Sequence, residues 1–289
     1  MTHYFKHSFK LKYILIIIPL LSLSGCTTFQ ASDEMILFND QPLKEGMGLK
    51  LPEGYSAQFQ KMPVHEETEL YTSHISKSQS SYTVLYFGGN GFRIAIQGYE
   101  KAWPITRNGG NVFLFDYRGY GYSDGRSSFA HLKKDGVALF DTLVHRNLIN
   151  PEKTILHGHS IGSLVAAHVA QEREVSGLVL ESSVTTMKEW WKAVTPWFVR
   201  PLIRFEVDST LKGQGNLPRV RELELPTLFI AGGADPITPP ELTEKLYQNS
   251  SAPNKMLHIF KGSDHNTVME HAQFDSVYTG FLDAIPLSD

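Results

Sequence analysis

The chain has 289 residues, 20% of them charged and 42% hydrophobic, which suits a globular domain with a sizeable core and excludes a disordered chain. A formal net charge of −3 leaves no basic footprint for nucleic acid, so no nucleic-acid partner is expected. A single cysteine, Cys26, excludes an intrachain disulfide and a cysteine metal cluster.

Residues 1–25 read as a signal peptide. Lys6, Lys10 and Lys12 make a basic start, and Tyr13 to Leu21 is an apolar run too short to span a bilayer comfortably. Leu23-Ser24-Gly25-Cys26 then resembles a bacterial lipobox, which implies that Cys26 becomes the lipidated first residue of the mature protein. The residues after it hold 24 lysines and arginines against 30 acids, a formal charge of −6. Such a body is not drawn to anionic lipid by its charge, so acyl chains on Cys26 would carry the membrane attachment. Thr27 is not the aspartate that marks inner-membrane retention, which points to an outer membrane of a bacterial envelope, facing the periplasm. Residues 26–54, with Pro42 and Pro52, read as a tether to a domain over residues 55–289.

Tyr55 to Gln60 and Glu69 to Ile75 alternate weakly and suit two antiparallel edge strands. Tyr82 to Phe87 is a stronger strand, rich in β-branched and aromatic residues, and it runs into Gly88-Gly89-Asn90-Gly91. A helix from Phe92 to Arg107, broken near Pro104, leads to a buried strand over Asn111 to Asp116. Ser128 to Asn147 has helical spacing. Lys153 to His157 is a strand, Gly158-His159-Ser160-Ile161-Gly162 a tight turn, and Ser160 to Arg173 a helix. After a strand over Val175 to Leu180, residues 185–224 break the rhythm and read as an inserted cap of one or two short helices. Strands at Leu228 to Ala231 and Lys255 to Phe260, with helices at Pro240 to Asn249 and Val268 to Leu282, complete the chain. Strands alternating with helices imply an α/β fold: a mostly parallel central sheet with helices on both faces.

Four loops that each follow a predicted strand fall at the carboxyl edge of such a sheet, where open α/β sheets bind ligands. They hold Asn90, Ser160, Asp235 and His265. Gly-x-Ser-x-Gly between a strand and a helix is the context of a nucleophile elbow, and the alternative is a capped turn in which Ser160 is the N-cap. Serine needs a base, and a histidine, with a reference pKa of about 6.5, suits that work near neutrality. Asp235 would orient the His265 imidazole, with Glu181 the main rival acid and Asp264 a weaker one. The backbone N–H groups of Ile161 and Asn90, or of Gly91 in place of Asn90, are candidates for an oxyanion hole, each donor worth roughly 3 kcal/mol. His157 and His159 read as packing or polar support, His271 as a surface residue, and Asp116 as a loop brace paired with Arg118. The glycine loop lacks the lysine of a phosphate-binding loop, and no His-Glu-x-x-His is present, so neither a cofactor nor a metal is expected.

The motifs Gly88-Gly89-Asn90-Gly91, Asp116-Tyr117-Arg118-Gly119-Tyr120-Gly121-Tyr122-Ser123, Gly158-His159-Ser160-Ile161-Gly162, Gly233-Ala234-Asp235 and Gly262-Ser263-Asp264-His265-Asn266 occur in the order of the α/β-hydrolase superfamily. From residue 55 to 285 the chain resembles the BEM46-type serine hydrolases of that superfamily. Those usually carry His-Gly-Asn-Ala-Gly in the oxyanion loop, whereas Gly88 and Gly91 stand here in place of the histidine and the alanine. The resemblance implies a serine hydrolase acting on an ester, thioester or amide through an acyl-enzyme, with a small-molecule or lipid-like acyl substrate. A peptidase of the same fold and a non-catalytic envelope lipoprotein are the alternatives. Trp190, Trp191, Trp197 and Phe198 of the cap suit either an apolar acyl pocket or packing of the cap onto the core.

Overall fold

The computed structural model describes residues 27–37, 51 and 53–285. The expected signal peptide, Cys26 and most of the expected tether lie outside the described residues.

An eight-stranded sheet forms the centre, in the order β10-β9-β7-β6-β4-β5-β3-β2. Its strands are β2 (Ser56–Pro63), β3 (Glu69–Ser76), β4 (Thr83–Phe87), β5 (Asn111–Phe115), β6 (Thr154–His159), β7 (Gly177–Glu181), β9 (Thr227–Gly232) and β10 (Lys255–Phe260). From β5 to β10 every pairing is parallel, and β3 and β2 add an antiparallel edge. The central strands are mostly apolar and are buried except at Thr83 and Asn111, the first residues of β4 and β5, as a sheet covered on both faces requires. Their side chains alternate between the faces. Leu85 and Phe87 of β4 join one core, and Val84 and Tyr86 join the other.

Helices close each face. On the first, α3 (Phe129–His145) contributes Leu132, Leu139 and Leu143, α4 (Ile161–Glu172) contributes Leu164, Val165 and Val169, and α7 (Pro240–Asn249) contributes Leu242 and Leu246. On the second, α2 (Ile94–Arg107) and α8 (Phe274–Asp283) bury Ile94, Ile105, Tyr278 and Phe281. Ser128 caps α3 by accepting from the His131 N–H at 3.1 Å. Pro104 does not break α2, which runs on to Arg107. The last expected helix is divided, with a short 3-10 turn at Val268–Glu270 ahead of α8.

Two stretches differ from the sequence expectation. The tether does not begin at residue 27: β1 (Thr27–Ala31) pairs in parallel with β8 (Ile203–Val207) of the cap, and α1 (Asp33–Ile36) follows. Phe29 stacks on Trp191 at 5.5 Å, and Trp191 in turn stacks on Phe205 at 4.7 Å. This aromatic packing, together with the Asp208 N–H donating to the Ala31 carbonyl at 3.0 Å, is what orders the segment. The cap, in turn, is not helical throughout. It comprises α5 (Met187–Val194), a 3-10 turn at Arg200–Leu202, β8 and the four-residue α6 (Leu217–Val220).

Candidate active site

Ser160 sits between β6 and α4 with φ 55° and ψ −120°, a region that costs a non-glycine residue about 1–3 kcal/mol. Its neighbours hold it there. A Cβ on Gly162 would lie 2.0 Å from the Phe87 carbonyl oxygen, and one on Gly158 would lie 2.5 Å from the Gly162 oxygen. Only glycine permits these approaches, so both are backbone requirements of the turn. The Ser160 N–H donates to the Glu181 carbonyl at 2.9 Å, and its own carbonyl accepts from Ser163 Oγ at 2.6 Å. The Ser160 side chain makes no capping bond to α4. The capped-turn alternative therefore fails, and the hydroxyl is left for another partner.

That partner is His265. Its Nε2 lies 3.0 Å from Ser160 Oγ, and its Nδ1 lies 2.8 Å from Asp235 Oδ2. Asp235 is set at the end of β9 by its surroundings. Oδ1 accepts from the N–H groups of Ile237 and Thr238 at 2.8 and 2.9 Å, and Oδ2 accepts from Thr238 Oγ1 at 2.7 Å. Burial pushes this carboxyl up, but the His265 hydrogen bond and charge and the Thr238 donors outweigh it and hold it below the usual carboxylate range. An ionised Asp235 only accepts, so Nδ1 carries the proton and Nε2 presents its lone pair to the serine.

The loop bearing His265 is pinned by His159, which the sequence suggests as packing or polar support, and by Lys101, which the sequence does not single out. His159 Nε2–H donates to the His265 carbonyl at 2.8 Å. Burial drives the His159 pKa down to about 3, so the ring stays neutral and keeps that donor. Lys101, buried on α2, donates to the Asn266 carbonyl at 3.0 Å. Nothing in helical periodicity marks Lys101, because a buried lysine is recognised only by its partner. Backbone contact joins the acid and base loops directly: the Ala234 N–H donates to the Ser263 carbonyl at 2.9 Å, and a Cβ on Gly232 would lie 2.4 Å from that oxygen.

Neither rival acid reaches His265. Glu181 accepts from His157 Nε2 at 2.9 Å in a fully buried pair. Burial pushes its carboxyl up, and the His159 and His157 rings and Lys101 bring it down to about 2. Asp264 closes its own turn by accepting from the N–H groups of Asn266 and Thr267. Asp116 does brace its loop, accepting from the Ile94 and Tyr122 N–H groups at 2.7 and 3.0 Å. It is not paired with Arg118, whose guanidinium instead grips Asp135 at 2.8 and 2.9 Å and Glu66 at 3.0 Å.

The glycine loop after β4 passes beside the serine. A Cβ on Gly89 would lie 2.7 Å from His159 Nδ1 and 3.5 Å from Ser160 Cβ. The Asn90 side chain is engaged at both ends, donating to the Ile36 carbonyl at 2.7 Å and accepting from Tyr120 at 2.8 Å. These bonds hold the Asn90 side chain in place, and its backbone N–H is the donor the sequence suggests for an oxyanion hole. Ile161 opens α4, where first-turn N–H groups have no partner inside the helix and the macrodipole is positive.

The cap aromatics do not form one acyl pocket. Trp191 packs against both Phe29 and Phe205, which also stack on each other at 6.3 Å, and Trp197 and Phe198 face outward. Trp190 reaches the acid loop, donating from Nε1 to the Ile237 carbonyl at 2.7 Å. An open depression of about 1070 Å³ lies at the opposite edge, at the amino ends of β6, β7 and β9. None of Ser160, Asp235 and His265 lines it. Among the described residues no group of three or more histidine, cysteine, aspartate or glutamate side chains could hold a metal ion, and no helix is long and apolar enough to cross a membrane.

Comparison with known proteins agrees with this architecture. The Hydrolase_4 family, described as serine aminopeptidase, S33, matches residues 96–213 and 201–272. A Mycobacterium tuberculosis relative, uncharacterized protein Rv2307c, is 34% identical over 196 residues, covering 68% of this chain and 66% of its own length, just under two thirds. Protein bem46 of Schizosaccharomyces pombe is 30% identical over 210 residues, 71% of this chain and 68% of that one. Among solved structures, the Pyrococcus furiosus esterase Pf2001 superposes with a TM-score of 0.66 at 20% identity, covering 86% of this chain and 97% of that one. Proline iminopeptidase of Mycobacterium smegmatis gives a TM-score of 0.62 at 17% identity, covering 78% and 98%. At such identities the structural likeness speaks for the fold alone. With a family match across more than half its length, the chain belongs to the α/β-hydrolases, in the BEM46-like group.

Proposed function

We propose that the protein is a serine hydrolase that cleaves carboxylic esters through an acyl-enzyme and is held at a membrane by lipid on Cys26. The observation that carries the catalytic part is the relay from Ser160 Oγ to His265 Nε2 at 3.0 Å and from His265 Nδ1 to Asp235 Oδ2 at 2.8 Å, with the serine on a strained turn. His265 Nε2 takes the Oγ proton as Ser160 attacks the acyl carbonyl. The oxyanion is met by the backbone N–H groups of Ile161 and Asn90. His265 then returns its proton to the leaving alkoxide, and the acyl group stays on Ser160 until water, deprotonated by the same imidazole, releases it. Asp235 stabilises the imidazolium between these steps and keeps Nδ1 protonated.

The anchor rests on the lipobox-like Leu23-Ser24-Gly25-Cys26 after a basic and apolar leader. A bacterial envelope, with the domain facing the periplasm from an outer membrane, is the location that fits Thr27 after the cysteine.

A series of p-nitrophenyl esters of rising chain length, run beside aminoacyl p-nitroanilides, tests the reading. Ester hydrolysis that is absent in Ser160→Ala is expected. Turnover confined to the anilides would make the enzyme a peptidase, and no turnover of either by the folded protein would favour a binding role. Loss of acylation and of membrane residence in Cys26→Ser is expected for the anchor, and unchanged acylation would remove it.

A further inference from the structure

The 3-10 turn at Arg200–Leu202 and the residues just before it present an apolar surface. Trp197, Phe198 and Leu202 are 77%, 61% and 60% exposed, and the Trp197 and Phe198 rings meet edge to face at 5.9 Å. Exposed apolar residues scattered singly need no explanation, but two aromatics in ring contact and a leucine within the same six residues concentrate exposed apolar surface in one short segment. The chemistry of the patch is that of a membrane interface, where tryptophan is enriched and apolar side chains enter the headgroup boundary.

The position of the patch identifies its occupant. β8 starts at Ile203, immediately after Leu202, and Ile203 is paired with Thr27. Thr27 directly follows Cys26 in the chain. A lipid on Cys26 therefore leaves the protein one residue from the strand position beside the patch, so both meet the same bilayer. The charge agrees as well. Between Lys188 and Lys212 the cap has five basic and three acidic residues, in a chain whose residues after Cys26 carry a formal charge of −6. Anionic headgroups would meet a segment with a slight excess of basic residues.

We propose that Trp197, Phe198 and Leu202 form a bilayer-docking face that seats the cap on the membrane beside the Cys26 lipid and turns the Ser160 site toward acyl substrates held in that membrane. The proposal rests on the reading of Cys26 as lipid-bearing. Two connections carry the docking to the site. Helix α5, about 12 Å long, separates the patch from the acid loop, which it touches through Trp190 and Ile237. The segment from Thr27 to Ile36 runs from the same face to the glycine loop, where Asn90 holds the Ile36 carbonyl.

The test uses the full chain, isolated from a bacterial host, in vesicles of phosphatidylethanolamine and phosphatidylglycerol with brominated acyl chains. Tryptophan emission should be quenched in the wild type, and most of that quenching should vanish in Trp197→Phe. The triple variant Trp197→Ala, Phe198→Ala, Leu202→Ala should hydrolyse water-soluble p-nitrophenyl acetate at the wild-type rate. On a long-chain ester embedded in vesicles it should lose about 10-fold or more, the order expected from removing that much buried apolar surface. Equal quenching in Trp197→Phe, or none in the wild type, overturns the docking face. A dimer that the triple variant dissolves, without bromine quenching, also overturns it and gives the patch to a second copy of the chain. The mass of the amino-terminal peptide reads the anchor separately. Trp197 quenching with Cys26 unmodified upholds the face and removes the anchor, whereas acylated Cys26 without quenching upholds the anchor and removes the face.

Discussion

Two buried imidazole–carboxylate pairs of nearly equal length stand among the described residues, on adjacent strands and their loops. His265 and Asp235 meet at 2.8 Å, and His157 and Glu181 at 2.9 Å. Their surroundings separate them. The second nitrogen of His265 faces the Ser160 hydroxyl, whereas His157 Nδ1 is buried with no hydrogen-bond partner, its ring between Tyr86 and Tyr278. Asp235 has three further donors, from Ile237 and Thr238, whereas Glu181 Oε1 is buried with none. A histidine and a carboxylate in contact are thus not by themselves a catalytic device. What matters is a free lone pair aimed at a nucleophile, and an acid whose ionisation is secured by its own loop.

Removing the nucleophile should break the contrast most severely. Ser160→Ala is expected to lower ester turnover by roughly 10⁶-fold with the fold intact, measured as kcat on a p-nitrophenyl ester. Exchanging the acids separates the two pairs. Asp235→Asn should cost about 10⁴-fold in kcat, since the amide no longer enforces the Nδ1–H tautomer. Glu181→Gln should keep kcat within about 10-fold while losing about 1–3 kcal/mol of stability in urea unfolding, because it disturbs a buried side-chain hydrogen bond to His157 and leaves the backbone contact to Ser160 and the His265–Asp235 pair in place. The reverse ranking of the two variants would transfer the acid role to Glu181.

Much of this site was legible because its chemistry obeys local rules. Gly158, Ser160 and Gly162 announce a tight turn between a strand and a helix, and Asp235 and His265 each follow an apolar strand that periodicity marks well. The supports were only partly legible: His159 reads as packing or polar support without a partner, and Lys101 is not marked at all. His159 and Lys101 act through the carbonyls of residues 265 and 266, and such long-range hydrogen bonds leave no trace in spacing. The pairing of β1 with β8 was hidden for the same reason, since its partners lie 176 positions apart, Thr27 against Ile203. One signal was available: Ile203-Arg204-Phe205-Glu206-Val207 alternates strictly, which is a strand pattern inside a segment that reads as a cap of one or two short helices. Asp116 and Arg118 were placed in one pair by proximity in sequence, but β5 ends between a helix start and a turn that together claim the carboxylate.

The support from His159 yields smaller effects that sharpen the comparison. His159→Ala should lower kcat about 10- to 100-fold by loosening the His265 loop, and His159→Gln, which retains a donor for the His265 carbonyl, should recover most of it. Equal losses in both would mean that the ring, and not its hydrogen bond, positions the base. A pH dependence follows with a definite sign. The folded state holds His159 at about 3, below its ordinary 6.5, so on acidification the unfolded chain takes up a proton that the folded chain refuses. Stability present above pH 6.5 is therefore lost as the pH falls through that window. Urea midpoints across the same range should fall less steeply in His159→Gln than in the wild type, and identical slopes would place the acid sensitivity elsewhere.

The central claim is that His265 and Asp235, and not His157 and Glu181, activate Ser160. A fluorophosphonate probe with mass-spectrometric mapping of the adduct tests it most directly. The structure predicts one adduct, on Ser160, formed rapidly in the wild type and in Glu181→Gln, slowly in Asp235→Asn, and not at all in Ser160→Ala. A folded wild type that resists the probe, or an adduct that forms on another residue, would contradict it.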